Sequence, residues 1–300
     1  MSAAMDKRSA GAWLVTGAKG LLGTTLVPIL RNAGLEIVAT TRGDLDVTDP
    51  AAVADALATH RPSVVVNAAA YTAVDDAESH EDDALQVNGT AAGVVAAACA
   101  SAVSQPVLLH LSTDYVFDGT ASVPYAEDAP TGPRTAYGRT KLVGEQNVRT
   151  LLPDRGYVVR TAWLYGPGGG NFVSTLVRLE GERDTVDVVD DQHGQPTSTL
   201  ALSRRLLELG KAAVAGTASP GTYHATASGA TTWFGLAREV FALRGADPDR
   251  VRPTTSATFV RPARRPAFSV LGHEGWSRAD LAPMRAWQEQ LAEALPSLRS

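Results

Sequence analysis

Short apolar runs alternate with segments of helical spacing through the first half of the chain. That rhythm predicts βαβ units built around a parallel sheet. AWLVTG, LEIVATT, SVVVNAAA, PVLLHLSTDYVF and GYVVRTAWLYG read as strands. SVVVNAAA is apolar without alternation, as expected of a strand covered on both faces. LLGTTLVPILRNAG reads as a helix that stops at Gly34, where a glycine just past the cap can take a left-handed conformation. DPAAVADALATHRP reads as a helix capped by Asp49, with Pro50 in its first turn. EDDALQVNGTAAGVVAAACASAV and TAYGRTKLVGEQNVRTLL are the remaining helices of this half.

From Gly166 the rhythm changes. A glycine-rich loop, GPGGGNF, precedes a helix (FVSTLVRLEGE), a strand (TVDVVDD) and a polar turn (QHGQPTST). TLALSRRLLELG reads as a helix, GTYHATAS as a strand and TTWFGLAREVFALRG as a helix. RPTTSATFVRPARRPAF reads as an ordered loop, and APMRAWQEQLAEAL as the closing helix.

The first strand runs into TGAKGLLG, which places Gly17, Gly20 and Gly23 between a strand and a helix. Gly17 permits the tight turn, Gly20 lets backbone approach a pyrophosphate, and Gly23 brings helix and sheet together. The free N–H groups of the helix end would face the phosphates. This predicts an α/β fold with a Rossmann-type doubly wound parallel sheet and a smaller C-terminal α/β lobe. The expected division is residues 11–165 for the dinucleotide-binding domain, with a return strand near 221–228, and residues 166–300 for the second lobe. The second strand ends Thr40, Thr41, Arg42 with no carboxylate. A carboxylate there would bond a ribose 2′-hydroxyl; Arg42 either pairs with a 2′-phosphate or lies free in solvent. NADPH is therefore the expected cofactor, with NADH the alternative. Asp46 and Val47 stand where a loop would flank the adenine, unless Asp46 only forms a turn.

Composition narrows the partners. With 300 residues, 44 % of them hydrophobic, the chain can bury a full core without staples. A net charge of -5 argues against nucleic acid or an anionic membrane surface as the main partner. The lone Cys99 cannot form an internal disulfide, which suits a cytoplasmic location. The first ten residues read as a loose tail without a signal-peptide core, and the apolar stretch 91–103 as too short to span a bilayer.

The fourth strand ends STDYVFDG, at the sheet edge where such folds bind ligands. Tyr137 and Lys141 follow at an i,i+4 spacing on one helix face. Hydride addition to a carbonyl creates an alkoxide that needs a proton. A free phenol has a pKa of about 10, and a nearby ammonium lowers it. Tyr137 is thus the expected proton donor and Lys141 its modulator and a ribose ligand. Thr113 is the expected hydrogen-bond partner of the reacting oxygen; Ser112 competes for that role, since strand alternation sends the two to opposite faces.

TGAKGLLG, RPSVVVNAAAYTAVDDAES, VNGTA, STDYVFDG, YGRTKLVGE, RTAWLYG, NFV, DDQHGQPTS, GTYHATASG and RPARRPAFSVL occur in this order across nearly the whole chain after residue 11. On this set the chain resembles the extended short-chain dehydrogenase/reductases, and within them the reductases of dTDP-linked 4-keto sugars. The resemblance implies NADPH-dependent reduction of dTDP-4-dehydro-L-rhamnose to dTDP-L-rhamnose, with residues 166–300 as the substrate-binding lobe. It implies pyrophosphate contacts from Gly20, Leu21 and Leu22, adenine contacts from Asp46 and Val47, and a cofactor cleft lined by Ala70, Tyr71 and Thr72. It makes Thr113, Tyr137 and Lys141 the catalytic set, and gives Thr113, Asp114 and Trp163 contacts to the sugar or its linkage. Read from the residues alone, Trp163 is either core or an aromatic platform for a sugar. Some members hold a metal with a carboxylate in the first helix; here that stretch reads Gly23, Thr24, Thr25, so no metal is expected.

His193 reads as an exposed loop histidine. Arg261, Arg264 and Arg265 either meet a diphosphate or form a solvated cluster. The expected partner is a small nucleotide sugar, bound by a monomer or homodimer. Two other readings are a related 4-ketosugar reductase or epimerase, and a non-catalytic NADP-binding regulatory subunit. The second need not keep both Tyr137 and Lys141.

Overall fold

Apolar runs covered on both faces close as a parallel sheet flanked by helices, and the computed structural model, which describes residues 11–298, has that sheet at its centre. The expected N-terminal tail lies outside the described residues. In chain order the elements are β1 (Trp13–Thr16), α1 (Gly23–Asn32), β2 (Ile37–Ala39), α2 (Pro50–His60) and β3 (Val64–Asn67). Then come α3 (Glu81–Leu85), α4 (Ala91–Ser101), β4 (Val107–Thr113), α5 (Ala136–Leu151) and β5 (Gly156–Thr161). The second half holds β6 (Leu164–Tyr165), α6 (Phe172–Glu182), β7 (Val186–Val189), β8 (His193–Gly194), β9 (Thr197–Ser198) and α7 (Thr199–Val214). It closes with β10 (Gly221–His224), β11 (Thr231–Thr232), α8 (Trp233–Leu243), β12 (Val251–Thr254), α9 (Glu274–Ser277) and α10 (Trp287–Ala294).

The sheet order is β2-β1-β3-β4-β5-β10, parallel throughout. The chain leaves β1 for β2 on one side and returns to β3 on the other. The crevice at the carboxyl ends of β1 and β3 is therefore a topological switch point. One sheet face packs on α1 and α7 through Leu26, Leu30, Leu202, Leu206 and Leu209, all fully buried. Each such side chain contributes about 1.5–3 kcal/mol relative to exposure. The other face packs on α2, α4 and α5. The second core gathers Leu176 of α6, Phe241 of α8 and Leu291 of α10 around the parallel β7–β12 pair.

Local signals set the element ends as anticipated. Asp49 accepts from the N–H groups of Ala51 and Ala52 at 2.9 and 3.3 Å, and Gly34 has φ +80°. Four differences have physical causes. GYVVRTAWLYG is two strands, because Trp163 takes φ +47° and turns the chain between β5 and β6. QHGQPTST holds β8 and β9, paired with the distant β11 and β6. The segment expected as loop from Arg252 starts as β12, a strand only because β7 lies beside it. The α7 helix, placed by sequence in the second lobe, packs on the sheet against α1. A π turn, Gln86–Thr90, joins α3 to α4 into a 21-residue helix, Glu81–Ser101. It is long and apolar enough to cross a membrane, and half of its apolar window is buried in this protein.

A buried polar network fastens β4, β5 and α5. Arg160 is 1 % exposed and Glu145 fully buried. The guanidinium donates to both Glu145 carboxylate oxygens at 2.8 Å, and Ser112 donates to Oε1 at 2.6 Å.

Candidate active site

The loop after β1 is shaped by what its glycines exclude. Gly17 has φ +67°, and a Cβ on it would stand 2.7 Å from the Ala68 carbonyl oxygen. A Cβ on Gly23 would stand 2.4 Å from the Gly17 carbonyl oxygen. Close approach within the loop itself, more than to the sheet, is what Gly23 permits. Thr16 donates to Asn67 Oδ1 at 2.7 Å and accepts from the Ala69 N–H at 3.2 Å, which ties the two strands that border the crevice. The Leu21 and Leu22 N–H groups have no acceptor among the described residues. They stand at the positive end of α1, a site suited to an anion.

Arg42 is exposed, lies past the end of β2 and forms no ion pair among the described residues. The Asp46 carboxylate accepts from the N–H and hydroxyl of Thr48 at 2.9 and 2.7 Å, so it does form a turn. The Val47 side chain packs into the core. Ala70, Tyr71 and Thr72 follow β3. Asn88, on the π turn, accepts from the Tyr71 N–H at 2.9 Å and donates to the Tyr71 carbonyl at 3.1 Å and to Thr140 Oγ1 at 3.2 Å. One side chain thus joins the 70–72 segment to α5.

The start of α5 is set by Thr135, which caps Gly138 at 3.1 Å, and by Gly138 itself. A Cβ there would stand 2.2 Å from the Tyr115 carbonyl oxygen, so only glycine lets the helix meet the end of β4. This brings Tyr137 beside Thr113 and Asp114. The Tyr137 ring meets Tyr115 edge-on, with centroids 5.6 Å apart. Ser112 points the other way, to Glu145, and Thr113 is the hydroxyl on the site side. Thr113 donates to Asp114 Oδ1 at 3.0 Å and accepts from the Tyr115 N–H at 3.2 Å. Asp114 is 3 % exposed, and its Oδ2 has no hydrogen-bond partner among the described residues.

Lys141 is 2 % exposed and donates to the Leu111 carbonyl at 2.5 Å. Burial lowers its ammonium to about 8, against an upward pull from Glu145. Burial raises the Tyr137 phenol to about 12; Thr113 draws it down and the Asp114 charge adds to the rise. The lowering expected from Lys141 is not among these influences; its ammonium faces the Leu111 carbonyl. Burial also raises the Asp114 carboxyl to about 6, opposed by the nearby Ser269 hydroxyl and by the hydrogen bond from Thr113.

Trp163 is neither a sealed core residue nor a free platform. It is half-buried and stacked on Trp233, with centroids 3.5 Å and planes 5° apart. His193 is exposed, as expected of a loop histidine. Arg265 donates to both oxygens of Asp75 at 2.8 Å, while Arg261 and Arg264 form no ion pair among the described residues. Among the described residues no cluster of three or more His, Cys, Asp or Glu could hold a metal. Sequence reasoning missed Asn67, Asn88, Asp75 and Trp233. Only the N-A-A and V-N-G-T-A motifs hinted at the two asparagines.

Residues 12–300 match the model of the RmlD substrate binding domain. The chain is 58 % identical to a Streptomyces griseus protein named dTDP-4-dehydrorhamnose reductase, over 95 % of this chain and 93 % of that one. It is 50 % identical to the dTDP-4-keto-6-deoxy-D-glucose reductase of Streptomyces niveus, over 96 % and 98 %. Its structure resembles dTDP-4-dehydrorhamnose reductase of Bacillus anthracis in complex with NADP, with a TM-score of 0.89, 34 % identity and coverage of 95 % and 99 %.

Proposed function

The chain belongs to the RmlD substrate binding domain family, and from that premise we propose that it reduces the 4-keto group of dTDP-4-dehydro-L-rhamnose with NADPH, giving dTDP-L-rhamnose. The observation that carries the reading is the meeting of Thr113, Asp114 and Tyr137 at the carboxyl edge of the sheet, beside a glycine loop with free N–H groups.

The residues fit the cofactor. Gly17, Gly20 and Gly23 leave room for a pyrophosphate, and Leu21 and Leu22 offer it N–H groups. Arg42 is free for a 2′-phosphate, and NADPH is preferred over NADH on that ground. Ala70, Tyr71 and Thr72 line the cleft, and Asp46 and Val47 offer backbone beside the adenine. NADPH, when bound, supplies the hydride that adds to C4. The C4 oxygen then takes up negative charge and needs a proton. Tyr137 donates it: burial keeps the phenol protonated at neutral pH, and the Thr113 hydroxyl draws its pKa back down. Thr113 steadies the same oxygen by hydrogen bond. Lys141, fixed by the Leu111 carbonyl, holds the nicotinamide ribose. Asp114 and Trp163 contact the sugar. The partner in this reading is a small nucleotide sugar, and a net charge of -5 speaks against nucleic acid or an anionic membrane surface.

NADPH oxidation over a panel of dTDP-, GDP- and CDP-linked 4-keto sugars tests the reading. Turnover is expected with dTDP-4-dehydro-L-rhamnose and one NADPH consumed per sugar. An epimerase would leave NADPH unspent, and a regulatory subunit would turn over nothing. The 50 % identity to the Streptomyces niveus reductase favours a second substrate for the same panel, dTDP-4-keto-6-deoxy-D-glucose.

Asp114 gives a pH-dependent stability signature. Its carboxyl rises from 3.8 in the unfolded chain to about 6 in the fold. Below both values there is no cost; the cost grows between them and is complete above about 6. Asp114→Asn should therefore raise stability at pH 7, by on the order of 2–3 kcal/mol at most, while lowering activity. Thermal melts at pH 7 and pH 4 check this; a gain that persists at pH 4 would contradict it.

A further inference from the structure

The Trp163 indole is clamped on both faces. Trp233 stacks on one, with centroids 3.5 Å and planes 5° apart. Gly194 closes the other. A Cβ on Gly194 would stand 2.4 Å from Trp163 Cε2, and 2.6 and 2.7 Å from Cζ2 and Nε1, the two atoms that flank it. Distances that lengthen toward both bonded neighbours place that point above the ring; an approach in the ring plane would shorten them. On the Trp233 side it would lie inside the 3.5 Å gap and meet Trp233 atoms, yet its three nearest atoms all belong to Trp163. A sugar therefore finds no open face of Trp163 to stack on.

One antiparallel pair builds the clamp. β8 holds Gly194, and its partner β11 runs straight into α8, whose first residue is Trp233. Trp233 is itself anchored. Its Nε1–H donates to Gln192 Oε1 at 3.0 Å, Gln192 donates on to Ser256 Oγ at 2.7 Å, and Phe172 meets its ring edge-on with centroids 4.8 Å apart. The Trp163 backbone is held too. Its φ of +47° is one that a non-glycine residue keeps only where its surroundings impose it, and its carbonyl accepts from the Thr197 N–H at 3.2 Å. What remains of the indole is its edge. The Trp163 Nε1–H has no acceptor among the described residues and is not sealed from solvent. Trp163 itself stands two residues past Thr161, the register partner of Thr113, at the carboxyl edge of the sheet.

We infer that Trp233 is a positioning residue for the reduction: with Gly194 it fixes Trp163 so that the indole edge, and not its face, presents a hydrogen-bond donor to an oxygen of the sugar. The inference rests on the reductase reading and adds to it the group that holds the Trp163 contact in place. An indole donates through one N–H alone, so the angle of the ring decides whether the bond forms. Trp233→Leu should raise KM for the dTDP-4-keto sugar about three- to tenfold, the range of one aromatic pair or one hydrogen bond. Its kcat should stay within about threefold of wild type, because ground and transition states lose the contact alike. Trp163→Phe keeps a ring in the clamp but removes the donor, and should raise KM by a similar factor. The double variant should be no worse than Trp163→Phe alone, since Trp233 then has no donor left to aim. NADPH affinity should stay within about twofold of wild type in all three, the glycine loop with its free N–H groups being untouched.

Losses that multiply in the double variant would mean that Trp233 acts apart from Trp163, and would overturn the inference. An unchanged KM in Trp233→Leu would do the same. So would a lower KM, by showing that Trp233 fills the place of the sugar and leaves when it binds. Trp233→Phe keeps an aromatic layer and loses only the bond to Gln192; it serves for the same cycle, with a smaller rise in KM, if the leucine variant does not fold. If wild type oxidised no NADPH with any 4-keto sugar, the reductase reading would fall on its own. Calorimetry of dTDP-L-rhamnose with the NADP-loaded protein would still decide the role of Trp233: equal affinity for wild type and Trp233 variant would end it.

Discussion

Tyr137→Phe should lower kcat by about 10²–10⁴-fold, the range that a positioned general acid supplies. The substitution removes one oxygen and keeps the ring that meets Tyr115 edge-on, so the wall of the site stays in place. NADPH binding should change little, because the free N–H groups of the glycine loop are remote in sequence and untouched. What is lost is the phenol that Thr113 draws down and Asp114 raises at the sheet edge. Without it the C4 oxygen must take its proton from water. Steady-state kinetics with NADPH titration separates the two effects. A variant that keeps kcat within a few-fold of wild type would remove Tyr137 from the chemistry and leave Thr113 or Asp114 to be tested as acid.

Glu145→Gln should cost about 3–5 kcal/mol of folding stability, the usual result of breaking a buried ion pair by removing one partner. Glu145 is fully buried, and both its oxygens accept from Arg160 at 2.8 Å. Gln keeps the volume but turns an N–H₂ toward a guanidinium that also offers only N–H groups. The Arg160 charge is then left 1 % exposed with no counterion. Urea unfolding measures the loss, and a value below about 1 kcal/mol would contradict the argument. Arg160→Met in the same chain should recover part of it, since an apolar replacement of the whole pair is often tolerated. The change should also reach the active site. Glu145 pulls the Lys141 ammonium upward, against the burial that holds it at about 8. Without that pull Lys141 loses its proton at still lower pH. The alkaline limb of the rate profile should move to lower pH.

Much of this protein is legible in order along the chain. The strand–glycine–helix run at Trp13 to Asn32, the cap at Asp49, the stop at Gly34 and the pairing of Tyr137 with Lys141 on one helix are local facts. Each depends on residues within a few positions of one another, and backbone sterics and hydrogen bonding decide such features without reference to the rest of the fold. For the same reason the order of elements was enough to anticipate a doubly wound parallel sheet.

What depended on residues far apart could only be settled in three dimensions. Ser112 and Thr113 are equivalent hydroxyls in sequence; Glu145, on another helix, claims the first and leaves the second to the site. Arg264 and Arg265 are adjacent and alike, yet Asp75, nearly two hundred residues away, neutralises only one. Trp163 offered two readings and took an intermediate place because Trp233 stacks on it. Lys141 was expected to depress the phenol, but burial, a property of everything packed around it, raises the phenol and Lys141 is not among the influences on it. Sequence determined which groups were present and how the backbone would carry them. Tertiary contact decided which of them were neutralised, buried or left free, because desolvation and pairing depend on neighbours that the chain brings together only when it folds.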